Sequence, residues 1–360
     1  MEKVGIAIAG LGFGEKVHIE ALKNSKLSKP VCLWHPRKER LLKASKENDI
    51  ESKEWSRILD DRNIKGIVIA TPPEPRYKLA KEALEAGKHL LLEKPVALSS
   101  TYIQDLQRIA LQKELSVAVD FEYRAVPLFR QAQKIIAEGI LGNLWLIKFD
   151  WLMSSRANKD REWSWYSDKN LGGGVTGALG THAFDILHWL IGPSSNFNAR
   201  MSTSIKERFD MLSNNLRTVT SDDTCLANFE LTDVRTNNIV PTQLALSSIT
   251  KNGRGCSIEI YGEKGTLKLL SDNQKDYVHG FQLTISQNNN QSISLSADQE
   301  FKFNKIWTDG RIAPVSLIHE WWIESIVNFQ PMIPGLIEGY ESQVACEKTF
   351  QSSDFRMSSN

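Results

Sequence analysis

Short apolar runs alternate with amphipathic segments over the first 120 residues. The runs at residues 4–9, 31–34, 67–70, 89–92 and 117–119 are continuous, as in strands that are buried on both faces of a parallel sheet. Between them the period becomes helical: residues 75–86 end at Gly87 and residues 99–114 begin at Ser99, which are typical helix-end residues. This alternation predicts βαβ units and a doubly wound parallel sheet.

The pattern changes after Pro127. A helix over residues 127–138, a strand over 145–151 and an apolar helix over 176–191 are followed mainly by alternating strands. A polar tract at 286–291 predicts a hairpin loop, and two amphipathic segments at 316–329 and 336–351 close the chain. Since domains centre on roughly 100–150 residues, we predict an α/β protein with a first domain at 1–122 and an α+β domain at 123–360, whose last helix packs back on the first.

Charge and cysteine content exclude several classes of protein. The chain has 44 basic and 43 acidic residues and a net charge of +1, so no global field attracts nucleic acid or an anionic membrane. No apolar run reaches the roughly 18 residues of a spanning helix, and the apolar N-terminal stretch lacks the cleavage site of a signal peptide. Cys32, Cys225, Cys256 and Cys346 lie far apart. We expect a cytoplasmic protein with reduced core thiols, a small-molecule ligand and no metal site.

A glycine-rich turn directly follows the first predicted strand. Gly10, Gly12 and Gly14, with Phe13 between them, allow a tight turn in which backbone amides approach a pyrophosphate. The third glycine of the usual motif is replaced by Glu15, whose carboxylate we expect to point away from the phosphates. The turn predicts a Rossmann dinucleotide site, and a plain strand–helix turn is the alternative.

The end of the second predicted strand indicates which dinucleotide binds. Sites for NAD usually place an acidic residue there to bind the ribose hydroxyls, but this chain has His35 and Arg37 in a basic turn. Basic groups suit a 2′-phosphate. We therefore predict NADP in preference to NAD, with an ordinary solvated turn as the alternative.

Two further junctions follow predicted parallel strands. Thr71 and Pro72 open one of them, and Glu93 and Lys94 open the next. Ligands of doubly wound sheets bind at the carboxyl ends of strands, where the ammonium group of Lys94 could neutralise an alkoxide. The alternative is an ordinary pair of surface charges.

These motifs, in this order, resemble the Gfo/Idh/MocA oxidoreductase family over nearly the whole chain. The matching segments are Gly10-Leu11-Gly12-Phe13-Gly14, Thr71-Pro72-Pro73, Ala86-Gly87-Lys88-His89, Glu93-Lys94-Pro95, Phe121-Glu122-Tyr123-Arg124, Gly139-Ile140-Leu141-Gly142, Gly172-Gly173-Gly174, Gly180-Thr181-His182, Asp185 and Tyr261-Gly262-Glu263-Lys264-Gly265-Thr266-Leu267. The resemblance implies a Rossmann domain, then a domain built on an open, largely antiparallel sheet that often mediates homo-oligomers.

The resemblance also implies roles for individual residues. Lys94 would be a catalytic lysine that contacts substrate and nicotinamide, and His182 would exchange the proton of the substrate hydroxyl. Many members have an aspartate four residues before this histidine, where this chain has Ala178. Asp185 lies on the same predicted helix face and would orient the imidazole instead. A buried core histidine is the alternative reading of His182.

Two other residues lie in or lead into segments that border the active cleft of the resembled family. Arg124 and Trp163 are expected cofactor contacts by this resemblance, although tryptophan is more often a core or interface residue. Arg76 stands where many relatives have histidine. Its effect on the cofactor or substrate is left open by the sequence.

The sequence therefore predicts an NAD(P)-dependent oxidoreductase acting on CH–OH groups. Its substrate would be a sugar, polyol or related cyclic compound, and its assembly a dimer or tetramer. Two alternatives stay open, although Lys94 argues against both: a non-catalytic dinucleotide-binding regulator of the same fold, with which Ala178 is compatible, and a pigment reductase similar to the biliverdin reductases.

Overall fold

The computed structural model describes residues 3–273, 276, 278–287 and 291–353. Contacts group them into two units. The first unit holds the described residues up to Ala125 together with Lys305–Tyr340, and the second holds Val126–Asn304 with the described residues from Glu341 onward. Residues 305–340, expected in the second domain from the pattern alone, thus group with the first unit.

A six-stranded sheet forms the centre of the first unit. Its strands are β1 (Val4–Ala9), β2 (Ser28–Trp34), β3 (Glu51–Ser52), β4 (Gly66–Ile69), β5 (His89–Leu92) and β6 (Val117–Val119). They run in the order β3-β2-β1-β4-β5-β6, and all neighbours pair in parallel. This is the predicted doubly wound sheet. The two-residue β3 was not predicted because it has no apolar run.

The second unit contains an open eight-stranded sheet and a separate hairpin. Its strands are β7 (Leu144–Leu152), β8 (Ser194–Ser202), β9 (Glu207–Asp210), β10 (Asn215–Thr218), β11 (Thr224–Thr232), β12 (Ile239–Ser247), β13 (Gly255–Gly262), β14 (Gly265–Ser271), β15 (Gln282–Gln287) and β16 (Ile293–Leu295). The sheet order is β16-β15-β14-β13-β7-β12-β11-β8, and β9 pairs with β10. Within the described sheet β7 and β12 are parallel and the other neighbours antiparallel, which confirms the expected sheet. The predicted hairpin is formed by β15 and β16, and residues 288–290 of its polar tract lie outside the described residues.

The helices occupy the intervals that the pattern indicated. They are α1 (Ile19–Asn24), α2 (Lys38–Asn48), α3 (Trp55–Asp60), α4 (Pro73–Glu85), α5 (Ser100–Gln112), α6 (Pro127–Ala137), α7 (Thr181–Leu190), α8 (Ile312–Asn328) and α9 (Leu336–Ser352). A π-helical turn, Gly14–His18, leads into α1, and a second one, Thr176–Gly180, leads into α7. Within the described residues, no helix combines the length and apolar character needed to cross a membrane.

Helix α8 belongs to the first unit because its apolar face packs on the parallel sheet. Trp322 and Ile323 are fully buried in one cluster with Ile6 and Ile8 of β1. Gly66 of β4 gives the indole its space, since an added Cβ would lie 2.7 Å from Cη2 of Trp322. All four cysteines are buried free thiols, as the sequence predicted.

Arg76 of α4 ties together the junctions that follow β4 and β5. Its Nη1 donates to the carbonyl oxygen of Glu93 at 2.5 Å and to that of Pro95, and its Nη2 donates to the carbonyl oxygen of Thr71. Burial lowers the pKa of this guanidinium to about 10, against the raising effect of the Glu93 charge. Arg76 therefore stays charged near neutral pH, and hydrogen bonds from a charged donor are stronger than neutral ones.

Replacing Gly66 by alanine is expected to destabilise the first unit. The new methyl group would overlap the ring of Trp322, and overpacking of a filled core typically costs about 1–3 kcal/mol. Gly12→Ala is the matched control, because an added Cβ there has no atom within 4 Å. Chemical denaturation followed by tryptophan fluorescence measures both. Equal loss in the two variants would contradict this packing.

Replacing Arg76 by methionine is expected to lower the free energy of unfolding by about 2–4 kcal/mol, since buried carbonyl groups lose their donors. Arg62→Met, at an exposed position of the same unit, is the control and should change that free energy by no more than about 0.5 kcal/mol. The same denaturation experiment applies. An Arg76 variant as stable as the control would show that these bonds contribute nothing net.

Candidate functional site

The glycine turn after β1 leaves its backbone open to a ligand. Gly10 has a φ of 101°, and an added Cβ there would lie 2.6 Å from the carbonyl carbon of Ala70. The turn therefore lies directly against the end of β4. At Gly12 an added Cβ has no atom within 4 Å, so a ligand can approach the bare main chain. The first helical turn begins two residues later, at Gly14.

Thr71, at the end of β4, offers a hydroxyl group beside this turn. The residue is buried, and its Oγ1 makes no hydrogen bond to any residue that the structure describes. Its backbone nitrogen would lie 2.8 Å from a Cβ on Gly10. A buried hydroxyl without a partner costs free energy, so an additional polar group fits here. Open main chain and a spare hydroxyl suit the diphosphate and ribose of a dinucleotide.

Glu15 does not face this opening as an unsupported anion. Its Oε1 lies 3.4 Å from Nδ2 of Asn48, near the end of α2. The carboxylate is therefore directed toward α2, as the sequence argument required for phosphate binding.

The turn after β2 is held close to the glycine turn and is basic. Nδ1 of His35 accepts the backbone N–H of Arg37 at 3.0 Å, and Nη2 of Arg40 donates to the carbonyl oxygen of Leu11 at 2.5 Å. Burial, helped by the charges of Arg40 and Arg37, lowers the pKa of His35. The imidazole is therefore a neutral acceptor near neutral pH. Arg37 itself is exposed.

A buried network of polar side chains centred on His18 lies next to the junction that contains Lys94. Nε2 of His18 is 3.1 Å from Oε1 of Glu93 and 3.7 Å from Oδ2 of Asp120, and Nδ1 is 2.9 Å from Nε2 of His319. The two histidines and Asp120 are fully buried. Lys94, joined to Pro95 by a cis peptide bond, is half-buried.

The carboxyl groups of this network have different protonation states. Burial would raise the pKa of Glu93, but the hydrogen bond from His18 and the charges of His18, Lys94 and Arg76 lower it. Burial, with the charges of Glu93 and Glu122, raises the pKa of Asp120 well above its ordinary value. Burial also raises the pKa of Glu122 to about 8, against the charge of Lys94. Near neutral pH, Glu93 is the ionised member.

The sequence did not single out this network. It assigned no role to His18. Asp120 directly follows a predicted parallel strand, which was a usable signal, whereas nothing in the amphipathic segment at 316–329 marked His319. His18, Glu93 and Asp120 bring one nitrogen and two oxygens within 4.8 Å of one another, a spacing that also suits a cation. The expected absence of a metal site stays a prediction.

His182 and Asp185 lie on α7 of the second unit, and both are buried. The ring of His182 is 6.3 Å from that of Trp151, measured between centroids. Ala178 lies in the π-helical turn that precedes α7. The regular α-helical spacing assumed from the sequence is therefore interrupted between Ala178 and His182.

The two other predicted contacts also lie in defined local structures. Trp163 of the second unit donates from Nε1 to the carbonyl oxygen of Thr218 at 3.1 Å, and the guanidinium of Arg217 lies 3.5 Å from its ring centroid. The indole is thus held against the β9–β10 hairpin. Arg124 is buried in a 3₁₀ turn of the first unit, Glu122–Ala125. Cofactor contact by either residue stays a prediction.

Comparison with known proteins gives the family. The model of the oxidoreductase family's NAD-binding Rossmann fold matches residues 4–121, and the model of its C-terminal alpha/beta domain matches residues 133–358. An uncharacterized oxidoreductase of Synechocystis is 40% identical over 350 residues, which are 96% of this chain and 93% of that protein.

A sugar-derivative dehydrogenase is among the relatives. Levoglucosan dehydrogenase of Pseudarthrobacter phenanthrenivorans is 30% identical over 223 residues, 58% of this chain and 56% of that enzyme. A solved structure of levoglucosan dehydrogenase in complex with NADH and levoglucosan has a TM-score of 0.84 at 21% identity, covering 98% of this chain and 97% of that chain; at this identity it shows a shared fold. The two domain matches and the relative from Synechocystis show that this chain belongs to the Gfo/Idh/MocA oxidoreductase family.

Proposed function

We propose that this protein transfers a hydride between a nicotinamide dinucleotide and a CH–OH group of a sugar, polyol or related cyclic compound. One observation carries the proposal: the open main chain at Gly12 and the spare hydroxyl of Thr71 lie at the carboxyl ends of strands, in the same sheet as the junction with Lys94. The 30% identity to levoglucosan dehydrogenase supports the substrate class.

The residues assigned to the dinucleotide have distinct tasks. Backbone groups of Gly10, Gly12, Phe13 and Gly14 would bind the diphosphate, and Thr71 with Pro72 would line the neighbouring junction. When bound, the cofactor supplies the hydride acceptor or donor. Glu93, Arg124 and Trp163 remain proposed contacts of the cofactor.

Lys94 and His182 are the residues proposed to share the proton of the substrate hydroxyl. In the oxidation direction the O–H bond breaks, and an N–H bond forms on the neutral amine of Lys94 or on the imidazole of His182. The resulting ammonium group stabilises negative charge on the same oxygen. Arg76 supports this task because it holds the carbonyl groups on both sides of Lys94.

His182 and Asp185 are the proposed acid–base residues of the second unit. An imidazole exchanges protons readily near neutral pH, and a carboxylate three residues later on the helix can orient it. Both side chains are buried on α7. The alanine at residue 178 removes the usual additional carboxylate, so Asp185 carries this task alone in the proposal.

Arg37 in the turn after β2 supports NADP as the preferred cofactor, because a cationic donor suits a 2′-phosphate. His35, whose pKa is lowered, stays a proposed contact of the cofactor as a neutral group. A homo-oligomer also stays a prediction. Trp145, Leu226 and Ile239 of the second unit's sheet are 61%, 55% and 53% exposed, which favours a surface that another subunit covers.

The decisive experiment has two stages. Fluorescence titration with NADPH and NADH measures cofactor binding, and a screen of sugars, inositols and levoglucosan follows the absorbance of the reduced nicotinamide. Tight binding without turnover of any such compound would favour the dinucleotide-binding regulator. Turnover of a linear tetrapyrrole alone would favour a pigment reductase.

Lys94→Ala is expected to reduce kcat by about 10²–10⁴, the usual contribution of a general acid–base group. Its cofactor Kd should stay within about threefold of the wild-type value, since the main-chain contacts persist. Lys113→Ala, at an exposed end of α5, is the matched control. Wild-type turnover by the Lys94 variant would refute the catalytic assignment.

Arg37→Glu is expected to raise the Kd of NADPH by about tenfold or more, because an acidic group would face the 2′-phosphate and each tenfold change corresponds to about 1.4 kcal/mol. The Kd of NADH should change far less. Arg62→Glu, which introduces the same charge change at another exposed position, serves as the control. Parallel loss of both cofactors would contradict 2′-phosphate recognition at this turn.

A further inference from the structure

His18 joins side chains from three separate elements in the first unit. It ends the π-helical turn before α1 and is fully buried. One ring nitrogen contacts Glu93 after β5 at 3.1 Å, and the other contacts His319 of α8 at 2.9 Å. Both ring nitrogens are therefore engaged, which fixes the plane and direction of the imidazole.

We propose that His18 is a positioning residue for Lys94, which it serves by holding the carboxylate of Glu93 in place beside the lysine. This inference rests on the proposed function, because that function gives Lys94 a share in the proton transfer. It adds a role for two buried histidines that the reaction itself does not use.

The first part of the argument is mechanical. Glu93 is held at two points: its side chain contacts His18, and its carbonyl oxygen accepts a hydrogen bond from Arg76. Lys94 directly follows Glu93 in the chain. Fixing the side chain and the carbonyl group of Glu93 therefore restricts the position from which the side chain of Lys94 extends. His319 contacts Nδ1 of His18, and this contact keeps Nε2 of His18 directed toward Glu93.

The second part of the argument concerns charge. The titratable and charged groups around this junction are His18, Asp120, Glu122, Arg76 and His319, with Arg311 acting on Glu122 and itself paired to Asp309 at 2.6 Å. Burial and the charge of His18 hold the pKa of His319 well below its ordinary value, so this ring is neutral. Burial raises the pKa of Glu122 to about 8 and that of Asp120 well above its ordinary value, so both favour the protonated form more than Glu93 does. The anion beside Lys94 is therefore Glu93.

Loss of the contact with His18 would change the electrostatic environment of Lys94 in a defined direction. Without that hydrogen bond, one of the effects that lower the pKa of Glu93 is lost while burial still raises it, so the pKa of this carboxyl increases. The carboxylate also loses the contact that holds it in place. Because an anion stabilises an ammonium group, moving or neutralising this carboxylate weakens the electrostatic support for a positive charge on Lys94.

Two substitutions at residue 18 separate the contacts. The amide nitrogen of glutamine occupies about the place of Nε2, so His18→Gln keeps a donor for Glu93. His18→Asn places its amide near Nδ1 and loses that donor. His89→Asn is the control: His89 begins β5, at the end opposite Glu93, and its Nδ1 accepts the backbone N–H of Ser116 at 3.0 Å, a task that the asparagine oxygen can take over.

The measurement is competitive acetylation of Lys94 over a pH series, quantified by peptide mass spectrometry, with circular dichroism to establish folding. For His18→Asn we expect the midpoint of the Lys94 labelling curve to move down by about one pH unit, as for loss of one nearby opposite charge. We also expect kcat to fall by about 10–100-fold, because the loss of a fixed position for Lys94 outweighs the larger fraction of neutral amine, and the cofactor Kd to stay within about twofold. His18→Gln and His89→Asn should keep the wild-type midpoint.

The outcomes separate this inference from the proposed function. A shifted midpoint in His18→Asn supports the inference even if no polyol is turned over, in which case only the proposed function fails. A folded His18→Asn protein with the wild-type midpoint overturns the inference, whatever the activity. So does a stoichiometric metal ion in the purified protein that is lost from His18→Asn, because His18 would then be a ligand. Should His18→Asn not fold, a midpoint shifted in Glu93→Gln supports the inference and an unshifted one overturns it.

Discussion

The hydrogen bonds between the buried guanidinium of Arg76 and the main chain are the interaction on which the candidate site most depends. The carboxyl ends of parallel strands lie at one edge of the sheet, and the hydrogen bonds between strands end there. The backbone groups of the loops that follow therefore need other hydrogen-bond partners. Arg76 supplies them for the junctions after β4 and β5. Thr71 and Lys94 therefore lie on loops whose carbonyl groups are hydrogen-bonded to the same guanidinium group.

Burying this cation requires compensation, and the buried network supplies it. Glu93 is the nearest ionised acid, and it accepts its hydrogen bond from His18. Burial and the charge of Glu93 raise the pKa of the neighbouring acids Asp120 and Glu122, which opposes a concentration of negative charge. The junction with Lys94 thus lies against a buried network that holds both a cation, Arg76, and an ionised acid, Glu93.

The glycine turn depends on a different physical feature, which is the absence of side chains. Side chains are absent at Gly10 and Gly12, so the turn lies tightly on β4 on one side and leaves main chain open on the other. Glu15, which replaces the third glycine, is accommodated because its carboxylate accepts a hydrogen bond from Asn48. A departure from the usual motif therefore does not remove the opening.

The sequence by itself determined the parallel sheet, the glycine turn, the basic turn after β2 and the junction with Lys94. These features are local: apolar runs, turn residues and charges next to one another in the chain specify them directly. Only the tertiary structure decided that His18 meets Glu93, 75 residues away, and His319, 301 residues away. It also decided that Gly66 makes room for Trp322 and that Arg76 turns inward to the main chain. The physical reason is that hydrophobic periodicity indicates which face of an element is buried, whereas the partner of a buried polar group depends on the three-dimensional packing of elements that are distant in sequence.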